Sequence, residues 1–390
     1  MRIMIWCANV ISAGGGARLL SNLLPAMARQ PDIDLIRLVI APETRFKERI
    51  DIAGYSNIDI VYFNGSIQSK EGRALLQDCH VVYFFWPHGP EFVDVGLPTI
   101  CTYHDTTILD FILPFMSGSS VQHCWRAAKG WIDNVTTVVV SSEHVKSRLV
   151  DHFGPPSHEA VVIAHAIVPA ATITNRTISE TLSARLPATY MLYPSNVSPH
   201  KNHANLMLAY AQFKLRHECP LVLFGYNTEL LRYQAPNWPD IPFVPTLISL
   251  LKRTGLQLDK EIYPLGFVPD HDVIPLIANA YAVIMPSLSE GGGSYPVEEA
   301  LKLGVPVLCS DIPVMREHLS RHSADICWFN PESPDSILHA LEHLSSHYTH
   351  YKSAAMRGIH DPSETWDDVA IKYIHTFRIA YLKYYGALQS

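Results

Sequence analysis

Short apolar runs recur along this chain at intervals of roughly one helix, and they set its first prediction. Arg2–Ala8, Leu35–Ala41, Ile58–Phe63, Val81–Trp86 and Thr99–His104 are β-branched or aromatic and do not alternate with polar residues, as buried parallel strands read. Between the first two, Leu19, Leu20, Leu23, Leu24 and Met27 fall on one face of a helix predicted over Ala17–Gln30. Thr136–Ser142 and Ala160–Ala166 add strands, and Trp125–Val135 and Ser142–Phe153 add helices, the second opening on a Ser-Ser-Glu cap. This βαβ rhythm predicts an α/β fold with a parallel sheet.

The rhythm lapses from Ile167 to Pro187, where Pro, Thr, Ser and Ala dominate, and then restarts. Thr189–Pro194, Pro220–Gly225, Ile262–Val268, Tyr281–Pro286, Val305–Cys309 and Ile326–Phe329 read as strands. Helices are expected over Ala204–Arg216, over Asp270–Ala280 and from Pro296 to Gly304. Ser310-Asp311-Ile312-Pro313 with Arg316-Glu317 reads as a capped helix start. A last helix runs from a Thr365/Asp368 capping box to about Tyr385, with Val369, Tyr373, Ile374, Phe377 and Tyr381 as its apolar positions. The expected division is a first domain over 1–170, a linker over 171–187, a second domain over 188–362 and a terminal segment over 363–390.

Composition narrows the function. The 390 residues suffice for two cores, and 48% apolar with 17% charged residues describe a globular chain. A net charge of −7 argues against nucleic acid as the partner. Seven cysteines without framework spacing suggest reduced thiols and a cytoplasmic setting, with Cys309 and Cys327 in the core. The 20 histidines form no HExxH and no paired CxxC accompanies them, so no metal is expected. The start, MRIMIWCANV, is not a signal peptide, and no apolar run reaches the roughly 18 residues of a membrane span.

The chemistry lies in loops at the carboxyl ends of predicted strands. Gly291-Gly292-Gly293 precede a helix start, where bare N–H groups and the helix dipole favour an anion. Glu290 stands before these glycines and Glu298-Glu299 after them, so carboxylates bracket a phosphate site, the chemistry a sugar nucleotide needs. A tight βα turn with solvated acids is the alternative. Lys201, ahead of another helix start, offers a second diphosphate clamp. The opening strand, glycines and helix suggest a dinucleotide site, but after Gly14 and Gly16 the third fingerprint position is Leu19. His104-Asp105 ends one strand and Trp86-Pro87-His88 follows another, at the edge where open α/β sheets bind ligands. There Asp105 either orients His104 or binds a hydroxyl.

Glu290-Gly291, Gly293, Pro296, Ala300 and Gly304-Val305-Pro306-Val307 resemble, in order, the donor-site signature of the retaining, GT-B-fold glycosyltransferases of family four. Tyr193-Pro194 through His200-Lys201-Asn202-His203 resembles the phosphate loop of the bacterial mannosyl- and rhamnosyltransferase-like branch. The resemblance implies two Rossmann-like domains facing across a cleft, with the terminal helix crossing back to the first. It implies Glu290, His104 and Asp105 as catalytic. Donor binding falls to Gly15, Gly16, Asn196, His200, Lys201, Phe267, Val268, Gly292, Gly293, Ser294, Tyr295, Glu298 and Glu299. Counting from Glu290 gives Glu298 as the ribose ligand, whereas counting from Ala300 and Gly304 gives Glu299, which is preferred with one extra loop residue. Asn196 stands where many members carry arginine, so His200 is expected to help. Phe267 is read as core before base contact.

The implied activity moves a hexose, mannose or rhamnose first, from a nucleotide diphosphate sugar, GDP-mannose favoured, to a glycan or lipid-linked acceptor without a metal or other cofactor. Such an acceptor places the protein in the cytoplasm, with peripheral contact at the inner membrane face. A sugar-nucleotide 2-epimerase of the same fold, an NAD enzyme and a non-catalytic sugar-nucleotide binder are the rivals.

Overall fold

A computed structural model describes residues 1–7, 15–42, 52, 54–111, 116–155, 160–167, 176–234, 241 and 243–387. The loop 9–14 and residues 168–175 of the expected linker lie outside the described residues. Contacts divide the chain into two compact units, one of Met1–Ile112, Met116–Ala166 and Glu364–Ser390, the other built on Ile167–Ser363.

In the first unit the apolar runs form β1 (Arg2–Cys7), β2 (Leu35–Ile40), β3 (Ile58–Tyr62), β4 (Val81–Phe84), β5 (Thr99–Tyr103), β6 (Thr137–Val140) and β7 (Val161–Val162). They make one parallel sheet in the order β3-β2-β1-β4-β5-β6-β7. The order reverses between β1 and β4, where Ile5 pairs with Leu38 on one side and Tyr83 on the other. Such a reversal opens a crevice at the strands' carboxyl ends. The helix Gly15–Ala28 buries Leu19, Leu20, Leu23, Leu24 and Met27 against this sheet. Gly15 and Gly16 are its first two residues, so it begins two residues before the expected start at Ala17.

The terminal helix Trp366–Ala387 shares that core through Val369, Tyr373 and Phe377, all fully buried. Each such large side chain contributes about 2–3 kcal/mol. Thr102 Oγ1 links two rings, with the Tyr83 and Tyr373 hydroxyls 2.6 and 3.2 Å away. The capping box forms as spaced: Thr365 N and Oγ1 donate to Asp368 Oδ2 at 2.9 and 2.7 Å, and Asp368 N donates to Thr365 Oγ1 at 3.2 Å.

The second unit repeats the plan with β8 (Met191–Pro194), β9 (Leu221–Phe224), β10 (Ile262–Pro264), β11 (Ala282–Met285), β12 (Val307–Ser310) and β13 (Cys327–Phe329). Its parallel order is β10-β9-β8-β11-β12-β13, so it reverses between β8 and β11. Three expectations are corrected. The strand expected over Ile262–Val268 stops at Pro264, because proline brings no ladder donor and Gly266 takes φ +76°. The helix expected over Ala204–Arg216 is His203–Tyr210, after which the chain turns to bury Phe213 and return to Cys219, whose carbonyl accepts from the Tyr210 hydroxyl. Ser310-Asp311 does not cap the helix Pro313–Leu319: Ser310 Oγ donates to Met285 O at 3.0 Å, and Asp311 forks Arg316 at 2.6 and 2.8 Å. All seven cysteines are free thiols, Cys309 and Cys327 among the buried ones.

His203 starts the helix His203–Tyr210 fully buried, with its ring 4.8 Å from that of Tyr193. Burial first, then the charges of Lys201 and His200, push its imidazole down to about 3. The unfolded chain therefore takes up a proton below the usual histidine value of about 6.5, while the folded chain does so only near 3. Stability is full above that usual value and falls as pH drops, by about 2 kcal/mol at pH 5 from this residue. Neither ring nitrogen has a hydrogen-bond partner among the described residues, so leucine loses little. Urea titrations of wild type and His203→Leu at pH 7 and pH 5 should show a shallower pH dependence in the variant. An identical dependence contradicts this prediction.

Candidate active site

The reversal between β8 and β11 brings together two of the candidate residues, Lys201 and Glu290. The turn Pro199–Lys201 follows β8 and the Glu290 loop follows β11. Lys201 Nζ lies 2.6 Å from Glu290 Oε1, both side chains mostly buried. Asn202, in the left-handed region at φ +61°, fixes the turn with its amide, which donates to Pro286 O at 2.9 Å and Pro331 O at 2.7 Å. Leu288 N donates to His200 O at 2.8 Å, tying the two loops, and Ser198 Oγ holds His200 Nδ1 at 2.8 Å. The lysine is thus held by carboxylate and backbone at the point where an anion would meet it.

Gly292 and Gly293 lead into the helix Tyr295–Lys302. Ser294 is its N-cap residue but makes no side-chain cap bond, which leaves the positive end of the helix uncovered by its own cap. Gly293 takes φ +95°, and a Cβ there would overlap the His318 ring. Both candidate ribose ligands are buried, Glu298 at 8% and Glu299 at 1% exposure. The Glu298 carboxylate is already engaged, meeting His318 Nε2 directly and His322 Nε2 at 4.0 Å.

The ends of β8, β9 and β10 are locked by two glycines. Gly225 takes φ +135°, and a Cβ there would come 2.5 Å from Ser195 backbone atoms and 2.7 Å from Asn196 N. Gly225 N donates to Gly266 O at 2.9 Å, and Gly266 N to Thr228 Oγ1 at 2.9 Å. The residue after each glycine is an exposed aromatic: Tyr226 at 43% and Phe267 at 50%. Their rings stand 5.5 Å apart at 36°. Phe267 is therefore not core, as its place in a strand-like run suggested, because the strand ends before it. Val268, by contrast, is buried. Asn196 is exposed beside this edge.

In the first unit, the edge at β1, β4 and β5 gathers Gly16, Trp86 and His104. A Cβ on Gly16 would lie 3.1 Å from the Trp86 ring, and Trp86 stacks on His104 at 4.8 Å and 25°. His104 Nε2 donates to Phe85 O at 2.7 Å, and the ring is 6.2 Å from that of His88 and 6.0 Å from that of His165. Burial first, then His165 and His88, hold this imidazole well below its ordinary value against the opposing Phe85 bond, so His104 is neutral. Asp105 does not orient it: Asp105 Oδ1 accepts from Thr107 N at 3.0 Å, a local turn bond.

Sequence reasoning missed Tyr226 and His318. The repeated glycine-aromatic pair, Gly225-Tyr226 and Gly266-Phe267, was the available sign of the first. For the second there was none, since Gly293 and His318 lie on separate elements.

Residues 175–359 match the family described as Glycosyl transferases group 1. The chain is 26% identical over 307 residues to the O-antigen chain mannosyltransferase B of Escherichia coli, across 75% of this chain and 74% of that one. Among solved structures it is similar to HepE of Anabaena in complex with UDP and glucose, with a TM-score of 0.70 at 14% identity over 97% of this chain and 99% of that one. It is also similar to sucrose-phosphate synthase of Thermosynechococcus elongatus, with a TM-score of 0.68 at 14% identity over 98% and 100%. The fold is that of the GT-B glycosyltransferases.

Proposed function

From a chain that carries a glycosyl transferases group 1 domain, we propose a transferase that moves a hexose, mannose first, from a nucleotide diphosphate sugar to a glycan or lipid-linked acceptor with retention. The observation that carries this reading is the Lys201–Glu290 pair at the reversal between β8 and β11. Lys201, the N–H groups around Gly292 and Gly293 and the start of the helix Tyr295–Lys302 receive the diphosphate and stabilise it as it leaves. These groups supply the charge that a metal ion brings to other transferases. Asn196 and His200 support the phosphates from the β8 side.

Glu290, released from Lys201 as the phosphates arrive, binds sugar hydroxyls and faces the positive charge developing at the anomeric carbon. Glu298 spends its carboxylate on histidines, and Glu299 is the ribose ligand in this reading. With Glu290 as the one carboxylate assigned to the sugar, a double displacement lacks its second. Front-side attack follows, with a donor phosphate oxygen taking the acceptor's proton. Neutral His104 is the first unit's candidate for hydrogen-bonding a hydroxyl, and Asp105 stays with its turn. The GDP-mannose preference rests on the motif from Tyr193 to His203 and on the name of the Escherichia coli relative. A lipid-linked acceptor would be met at the inner membrane face by peripheral contact. No helix among the described residues is long and apolar enough to cross a membrane.

The test is incubation with GDP-mannose and lipid-linked or free glycan acceptors, with and without EDTA, followed by NMR of the new linkage. An α-linked product formed equally with EDTA supports the reading. Inversion, an EDTA-sensitive rate, or a 2-epimer formed without acceptor overturns it.

Tyr226 and Phe267 would carry the base by stacking, with Val268 backbone beside them. Phe267→Ala should weaken GDP binding by about tenfold, since an aromatic platform contributes roughly 1–3 kcal/mol per base. Its thermal midpoint should stay at the wild-type value, because half of the ring is already in water. Unchanged affinity by calorimetry would remove the ring from the site.

A further inference from the structure

The geometry points to His318 as a positioning residue that holds the glycine loop in its anion-binding shape, a role no motif of the chain announces. Three observations converge on it. Its ring occupies the space where a Cβ on Gly293 would lie, so the loop runs directly over the imidazole. Its Nε2 meets the Glu298 carboxylate in the first turn of the helix that the loop enters. Its side chain is only 13% exposed, so the contact is desolvated.

The contact continues inward. Glu298 Oε2 lies 4.0 Å from His322 Nε2, and His322 Nδ1 lies 3.7 Å from Asp361 Oδ2. Asp361 is fixed in turn by Ser323, whose N and Oγ donate to it at 2.7 and 2.8 Å. A chain of alternating imidazole and carboxylate groups therefore runs from the loop to the segment after the last helix of this unit. Glycine at 293 is demanded twice, once by φ +95° and once by the ring beneath it. The second demand is specific to His318, and it can be relieved.

The role assigned to His318 rests on the donor-site reading above, so the experiment separates the two. GDP and UDP binding is measured by calorimetry on the full chain for wild type, Gly293→Ala, His318→Ala and the double variant, with donor KM and kcat alongside. Gly293→Ala should bind nucleotide about tenfold more weakly. The double variant should regain a severalfold part of that loss, because the φ cost is common to both and only the overlap is gone. His318→Ala alone should raise donor KM severalfold with kcat within about twofold, and His318→Asn, which keeps a polar group on the Glu298 side, should recover part of the KM. A double variant no better than Gly293→Ala, or equal losses in kcat and kcat/KM for His318→Ala, overturns the inference. Wild type that binds neither nucleotide overturns the donor-site reading instead.

Discussion

Lys201→Ala is expected to lower GDP affinity by roughly 10- to 100-fold, the value of about one charge-assisted hydrogen bond to a phosphate. The same change should also lower stability, and the reason separates it from a surface lysine. Lys201 and Glu290 are 18% and 10% exposed, and they pair at 2.6 Å. Removing the ammonium leaves the carboxylate mostly buried without its cation, a loss of about 3–5 kcal/mol for a fully buried pair and less here, where water still reaches both. The double variant Lys201→Ala/Glu290→Ala takes away the stranded charge. It should recover much of the thermal midpoint while GDP binding stays weak. If the double variant binds GDP as wild type does, Lys201 is structural and the phosphates lie elsewhere.

Glu290→Gln should move binding and turnover in opposite directions. The amide can still accept from Lys201, so the loop keeps its shape, but a negative charge next to the incoming diphosphate is gone. GDP should bind as tightly as in wild type or more tightly. Turnover should fall by about 10²–10³-fold, the usual loss when one electrostatic partner of a transition state is removed. In kinetic terms kcat drops far more than donor KM changes, the pattern of an interaction made chiefly in the transition state. A parallel loss of affinity and turnover would make Glu290 a binding residue, and wild-type turnover would remove it from the chemistry.

The two sheets were legible because buried parallel strands leave continuous apolar runs, and most of those runs became strands. The terminal helix was legible through its capping box and through Val369, Tyr373 and Phe377. What failed did so locally. Proline at 264 cut a strand that hydropathy alone carried to Val268, and Phe267 came to the surface with it. Asp105 was drawn to the nearest backbone N–H, at Thr107, before it could reach an imidazole. The meeting of Lys201 with Glu290 follows from strand order, since both loops leave the strands on either side of the reversal. His318 beneath Gly293 depends on the packing of two helices, and a linear pattern does not encode that.

A crystal structure of the full chain with GDP tests the central claim most directly. The account predicts the diphosphate within hydrogen-bond distance of Lys201 Nζ and of backbone N–H groups between Gly292 and Tyr295, with the base against Phe267 or Tyr226. Nucleotide bound away from the ends of β8 and β11, with Lys201 still paired to Glu290, would contradict it.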